Sequence, residues 1–151
     1  GTWAKAIEPF AKRVIAYEPD KIHFECLQKN CTINCIPRME AVGSEERNIS
    51  LTDDNFTQAR RIKDEGNIRM VTLDSTEYDK VDMIKIDVEG YEMKVLEGAT
   101  KMLSQVKYLM IELNNNSKKY GSSNTKIEKY LTSIGFKVLM EHWPDKVFYR
   151  L

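Results

Sequence analysis

The stretch Met83-Ile84-Lys85-Ile86-Asp87-Val88-Glu89-Gly90 decides how this chain folds. Its apolar residues predict a strand over residues 83–88, followed directly by Glu89-Gly90. Alternate side chains share a face, so Lys85 and Asp87 point together while Ile84, Ile86 and Val88 point away. A lysine inside such a strand is costly to bury without a carboxylate, so Lys85 is expected to pair with Asp87, Glu89 or Glu112. Glu89 is expected to open the following helix, where the helix dipole favours an acid. Gly90 lets the backbone approach a ligand or a neighbouring strand closely. The helical stripe Val95, Leu96, Ala99, Met102 and Leu103 follows, and then a second strand over residues 108–113.

Similar alternation runs outward in both directions. Upstream, Trp3, Ile7, Phe10 and Ala11 mark the inward face of a first helix, and Val14-Ile15-Ala16-Tyr17 reads as a strand that stops at Glu18-Pro19-Asp20. Asp20 suits the N-cap of a helix whose inward face is Phe24, Leu27 and Cys31. Short strands are predicted over residues 38–42 (after Pro37), 48–52 and 68–73. The polar stretch 53–67 is either an excursion or a short charged helix through residues 58–63. Downstream, Asn114-Asn115-Asn116 is a turn, and Ile127, Tyr130, Leu131 and Ile134 form a stripe opened by Ser123 or Asn124 and stopped by Gly135. Residues 136–140 and 146–151 predict an antiparallel pair around Trp143-Pro144-Asp145. The expected fold is α/β, with a mostly parallel sheet, helices on both faces and a C-terminal antiparallel hairpin. Ligands of open α/β sheets bind beyond the carboxyl ends of the strands. That rule selects Glu18, the stretch 41–43, residues 87–90 and residues 112–115.

Composition narrows the function. Twenty-three basic residues balance 23 acidic ones, so there is no overall cationic footprint for nucleic acid. No apolar run approaches the roughly 18–20 residues of a membrane span, and no signal peptide or myristoylation motif opens the chain at Gly1. A cytoplasmic location without nucleic-acid or membrane partners is therefore expected. Cys26, Cys31 and Cys35 lack a fourth zinc ligand at a familiar spacing, so three reduced, partly buried thiols and no metal site are expected. Neither His23 nor His142 sits where a general base is needed, and no nucleophile elbow or phosphate-binding loop is present. Glu18, closing a strand, is suited to accept hydrogen bonds from a ribose diol. Asp87, at the end of its strand, is expected to face a cofactor or an acceptor. Glu112 and Asn114 to Asn116 are placed to line an acceptor pocket, with Tyr120 and Gly121 in a loop nearby.

The run from Val81 to Glu92, followed by Val95-Leu96-Glu97-Gly98-Ala99, resembles the signature of FkbM-type methyltransferases. Ala16-Tyr17-Glu18-Pro19-Asp20, Ala41-Val42-Gly43, Thr72-Leu73-Asp74-Ser75 and Ile111-Glu112 resemble that family in the same order. The resemblance implies a class I, Rossmann-like methyltransferase fold and transfer of a methyl group from S-adenosyl-L-methionine, commonly to a hydroxyl oxygen. It implies that Glu18 holds the ribose hydroxyls with Pro19 beside the adenine, and that Glu40, Ala41 and Val42 flank the adenine. It makes Asp87 and Glu89 the acids near methyl donor and acceptor, with Asp87 first and Glu89 second as the catalytic carboxylate. Family members begin with a strand, an acid and a glycine-rich turn, and Gly1-Thr2-Trp3 is similar to the end of that turn. Residues 1–151 are therefore expected to be a single methyltransferase-like domain lacking the first, central strand. The expected reaction is O-methylation of a small molecule or glycan. The alternative is a methyltransferase-like module or inactive fragment without catalysis.

Overall fold

The computed structural model describes residues 1–52, 62–76, 78 and 80–151, which fall into two compact units. The first comprises residues 1–42 and 46–71, the second residues 43–45 and 72–151.

The first unit begins with α1 (Thr2–Ile7), continued by a 3-10 turn over Glu8–Phe10. The expected inward face is overturned here, because Ala4 and Glu8 are buried while Trp3 and Ile7 are exposed and Phe10 is 85% exposed. Pro9 removes a backbone donor and ends the α-helical winding, so Phe10 leaves the periodicity that its spacing suggested. β1 (Val14–Tyr17) follows as predicted, and then α2 (Lys21–Asn30), where Asp20 caps the helix by accepting from the His23 N–H at 2.9 Å. Leu27 is buried and packs with Ala4 and Cys35, flanked by Val14, Ala16 and Phe24. The strand expected over residues 38–42 is instead two. β2 (Cys35–Arg38) pairs parallel with β1, and β3 (Ala41–Val42) joins a separate ladder. Pro37 lies inside β2, opposite Ala16, and is tolerated because, among the described residues, β2 is an edge whose outer side has no ladder to serve.

The three-thiol expectation is also corrected. Cys31 and Cys35 form a disulfide across the turn between α2 and β2, while Cys26 is free and exposed. The turn brings their Cα atoms to 5.2 Å, inside the usual range for such a bond.

β4 (Arg47–Leu51), β5 (Ile62–Asp64) and β6 (Ile68–Val71) complete this unit in the order β3-β6-β4-β5. The helix considered for residues 58–63 lies outside the described residues up to 61, and Lys63 belongs to β5.

The second unit carries β7 (Met83–Ile86), α3 (Glu92–Glu97), α4 (Thr100–Leu103), β8 (Tyr108–Glu112), α5 (Asn124–Ser133), β9 (Lys137–His142) and β10 (Asp145–Tyr149). Asp74 caps α4, accepting from the Thr100 hydroxyl and the Lys101 and Met102 N–H groups, each at 2.9 Å. Ser123 caps α5 through the Lys126 N–H, and Gly135 (φ 95°) follows its end. The sheet order is β7-β8-β10-β9. β7 and β8 are parallel, joined through α3 and α4, whereas β10 is antiparallel to both β8 and β9. The core holds Leu96, Leu103, Leu109, Ile111, Leu131 and Phe148, all nearly inaccessible.

The expectation of a mostly parallel sheet is therefore replaced by mixed α/β ladders among the described residues. Crossover segments join the parallel pairs, whereas the tight turn at Trp143-Pro144 makes β9 and β10 antiparallel. No helix among the described residues is long and apolar enough to cross a membrane.

Candidate functional site

The register of β7 on β8 builds the centre of the second unit. Ile86 lies opposite Ile111, so one step further along the parallel pair Asp87 comes beside Glu112. The antiparallel register of β10 sets Asp145 opposite Glu112 on its other side. Directly opposed residues share a face, and Lys85 shares the face of Asp87 two residues on. The result is a polar group at the strand ends. Lys85 Nζ stands 2.9 Å from Asp87 Oδ2 and 3.9 Å from Asp145 Oδ1, with the Lys85 side chain 18% exposed and that of Asp87 40%. The ion pair expected for Lys85 is present, with Asp87 as partner.

Glu89 completes the cluster. One carboxylate oxygen from each of Asp87, Glu89 and Glu112 lies within 4.8 Å of the others. Glu89 does not open the helix as expected. It precedes the helix in a left-handed turn (φ 54°), followed by Gly90 at φ 111°, and Glu92 supplies the acid of the first turn of α3. A side chain on Gly90 would put its Cβ 2.6 Å from the Asn116 carbonyl oxygen, so only glycine allows this approach. The asparagine turn, expected either to line a pocket or merely to turn the chain, grips Glu89 directly. Asn116 Nδ2 donates to Glu89 Oε2 at 2.9 Å and Asn114 Nδ2 at 3.3 Å. Tyr120, at the end of the 3-10 turn Asn116–Tyr120, packs edge-on against Tyr91 with ring centres 4.9 Å apart.

Electrostatics separates Asp87 from Glu112. Burial pushes Asp87 up, but hydrogen bonds from Glu112 and Lys85 outweigh it and hold the carboxyl below the usual range. Glu112 moves the other way, to about 8, because it hydrogen-bonds to Asp87, is partly desolvated and faces two negative neighbours. At neutral pH Glu112 thus keeps its proton and donates it in a hydrogen bond to the Asp87 carboxylate. The proton on Glu112, the Lys85 ammonium and the two amides on Glu89 compensate the charge of the trio. Glu92 is 2% exposed, its Oε1 accepting from the Gly90 N–H at 2.7 Å, and burial pushes its carboxyl up.

The first unit places its own set. Glu18 follows the last residue of β1, half-buried, with Oε1 accepting from the Asp20 N–H at 3.0 Å and its carboxyl raised by desolvation. Pro19 is half-buried beside it. Glu40 is held by Arg69 at 3.3 Å, Ala41 is buried in β3 and Val42 half-buried. Gly1 is exposed at the N-cap of α1, where a Cβ would meet the Leu27 Cα at 2.9 Å, so its close neighbour is α2.

Sequence spacing missed Asp145 and Glu92. Asp145 needs the hairpin register to reach the cluster. Glu92 carried one local signal, an acid two residues after a glycine at a helix start.

A family model for the methyltransferase FkbM domain matches residues 1–138. The hexuronic acid methyltransferase AglP of Haloferax volcanii (strain DS2) is 28% identical over 112 residues, which is 67% of this chain and 47% of that protein. The crystal structure of methyltransferase FkbM from Methylobacillus flagellatus KT matches 91% of this chain and 36% of its own, with a TM-score of 0.62 at 20% identity. That structural likeness speaks for the fold. The chain spans about half the length of the curated relative it matches. With the motifs at residues 16–20 and 81–99 inside the matched span, the chain belongs to the FkbM methyltransferase family.

Proposed function

We propose that residues 1–151 act as one S-adenosylmethionine-dependent methyltransferase domain that methylates a hydroxyl oxygen on a glycan or small molecule. The family match running through both units supports a single domain, and the hexuronic acid methyltransferase among its relatives favours an acidic sugar as acceptor. The observation that carries the proposal is the carboxylate group Asp87, Glu89 and Glu112 at the ends of β7 and β8.

Residues of the first unit fit the cofactor's sugar and base. Glu18 is half-buried, and its backbone hydrogen bond engages one of its two oxygens, leaving acceptor capacity for a ribose diol. Pro19, Glu40, Ala41 and Val42 serve the adenine side and Gly1 the methionine side. S-adenosylmethionine, when bound, supplies an electrophilic methyl group on a sulfonium. The chain's task is then to align one acceptor oxygen with that methyl and to take up the hydroxyl proton. Asp87 is ionised at neutral pH and accepts that proton, Lys85 and Glu112 orient it, and Glu89 orients the acceptor hydroxyl.

Calorimetric titration with S-adenosylhomocysteine, followed by transfer of labelled methyl to glucuronate-bearing oligosaccharides, tests the proposal. Saturable heat and labelled sugar are expected. Absence of both would leave a non-catalytic module.

A further inference from the structure

Glu92 is a carboxylate placed where the core would accept an apolar side chain. It is 2% exposed and belongs to the first turn of α3 beside the buried Val95 and Leu96. Burying an acid is unfavourable unless its oxygens are satisfied by donors. Here the donor is a backbone group of the short turn just before the helix. The Gly90 N–H reaches Oε1 at 2.7 Å. The segment folded around Glu92 is the one that presents Glu89.

That segment has an unusual path. Glu89 and Gly90 are consecutive residues with φ of 54° and 111°. A glutamate in the left-handed region persists only where its surroundings over-determine it. Two anchors do so. From one side Asn116 binds Glu89 Oε2 at 2.9 Å, and its carbonyl packs against Gly90. From the core, Glu92 holds the Gly90 amide that follows Glu89.

We propose that Glu92 is a positioning residue of the methyl-transfer site, its buried carboxylate folding the Val88–Gly90 backbone so that Glu89 is held against Asp87 and Glu112. This inference rests on the function proposed above. Glu92 acts through the turn. Its work is to fix the direction of a neighbour that was itself singled out by sequence.

Glu92→Gln keeps the shape and one acceptor oxygen but removes the charge that holds the Gly90 N–H. Two readouts in the full chain separate positioning from packing. The first is the carboxyl titration of Glu112 followed by 13C NMR, which needs no activity. Loosening Glu89 is expected to lower the Glu112 midpoint from about 8 by about one unit, because a like charge leaves its side. The second is kinetics with S-adenosylmethionine and glucuronate-bearing oligosaccharide. A fall in kcat of about tenfold or more is expected, with S-adenosylhomocysteine affinity unchanged. A variant that keeps both the Glu112 midpoint and kcat while melting at lower temperature overturns the proposal. If the wild type methylates none of these sugars, the functional reading fails, and the Glu112 titration still decides the positioning role. Should Glu92→Gln not fold, Glu92→Asp, which withdraws the carboxylate by one methylene, is judged by the same two readouts.

Discussion

Glu8 in the first unit and Glu112 in the second are both carboxyls drawn away from water, yet their surroundings push them in opposite directions. Glu8 meets only donors. Its two oxygens accept from the Thr32 hydroxyl at 2.5 Å, the Thr32 N–H at 3.1 Å and the Asn34 N–H at 2.9 Å. The Thr32 hydroxyl has the largest effect on its carboxyl and, with the backbone donors, holds it below the usual range despite burial. Glu112 meets another acid, Asp87, and is pushed up to about 8. A carboxylate saturated by backbone groups has finished its work when the chain has folded, here by locking the turn between α2 and β2. A carboxyl that shares its proton with a second acid keeps a reactive degree of freedom at neutral pH. Asp74, saturated by three donors at the start of α4, belongs with Glu8.

The contrast is broken most directly at Asp87. Asp87→Asn is expected to lower kcat per folded molecule by about 10²–10⁴-fold, beyond any loss of stability from taking the nearest carboxylate from Lys85. Steady-state methyl transfer checks this, and wild-type turnover in the variant would remove Asp87 from the reaction. Glu8→Ala should do the reverse, leaving the Thr32 and Asn34 donors without an acceptor. Thermal melts should fall clearly while turnover per folded molecule holds.

The pH dependence of stability sharpens the same contrast with opposite signs. Glu8, with its lowered value, contributes stability above its unfolded value of about 4.3, which is lost as pH falls through the folded value. Glu112 binds a proton in the folded state that the unfolded chain releases above about 4.3, so stability declines as pH climbs from there to about 8. Beyond that it levels off. Denaturant titrations across pH should show both limbs. Glu112→Gln, which still donates to Asp87, should flatten the neutral limb, and Glu8→Gln the acid limb.

The smallest effect is expected at Asn116. Asn116→Ala removes the shorter of two amide donors to Glu89 while Asn114 remains, so kcat should fall by roughly tenfold or less. A loss as large as that of Asp87→Asn would mean that Glu89, and not Asp87, is the principal carboxylate.

Much of this was legible from local signals. Tyr17-Glu18-Pro19-Asp20 reads as a strand end followed by a cap, and it is one. Lys85 in an apolar strand demanded an acid, and Asp87 answers it. Ser123 and Gly135 bracket α5. Errors arose where an element's surroundings overrode its periodicity. Phe10 lies past the helix end at Pro9, Pro37 sits inside an edge strand, and Glu89 stops short of the helix it was expected to open.

Hydrogen-bond capping, side-chain alternation and φ restriction act within a few residues, so the linear order of side chains carries them. Strand ends, caps and the identity of the acids at the ends of β1 and β7 were set at that level. Which acids touch was not. Glu8 meets Thr32 across 24 residues, and the last paired residues of β7 and β8 bring Asp87 to Glu112 across 25. Such meetings depend on strand register and on the loops that close it, and a shift of one residue would turn every side chain of a strand to its other face. The proton shared by Asp87 and Glu112 exists only after that register is made, because neither residue alone has any reason to leave its ordinary range.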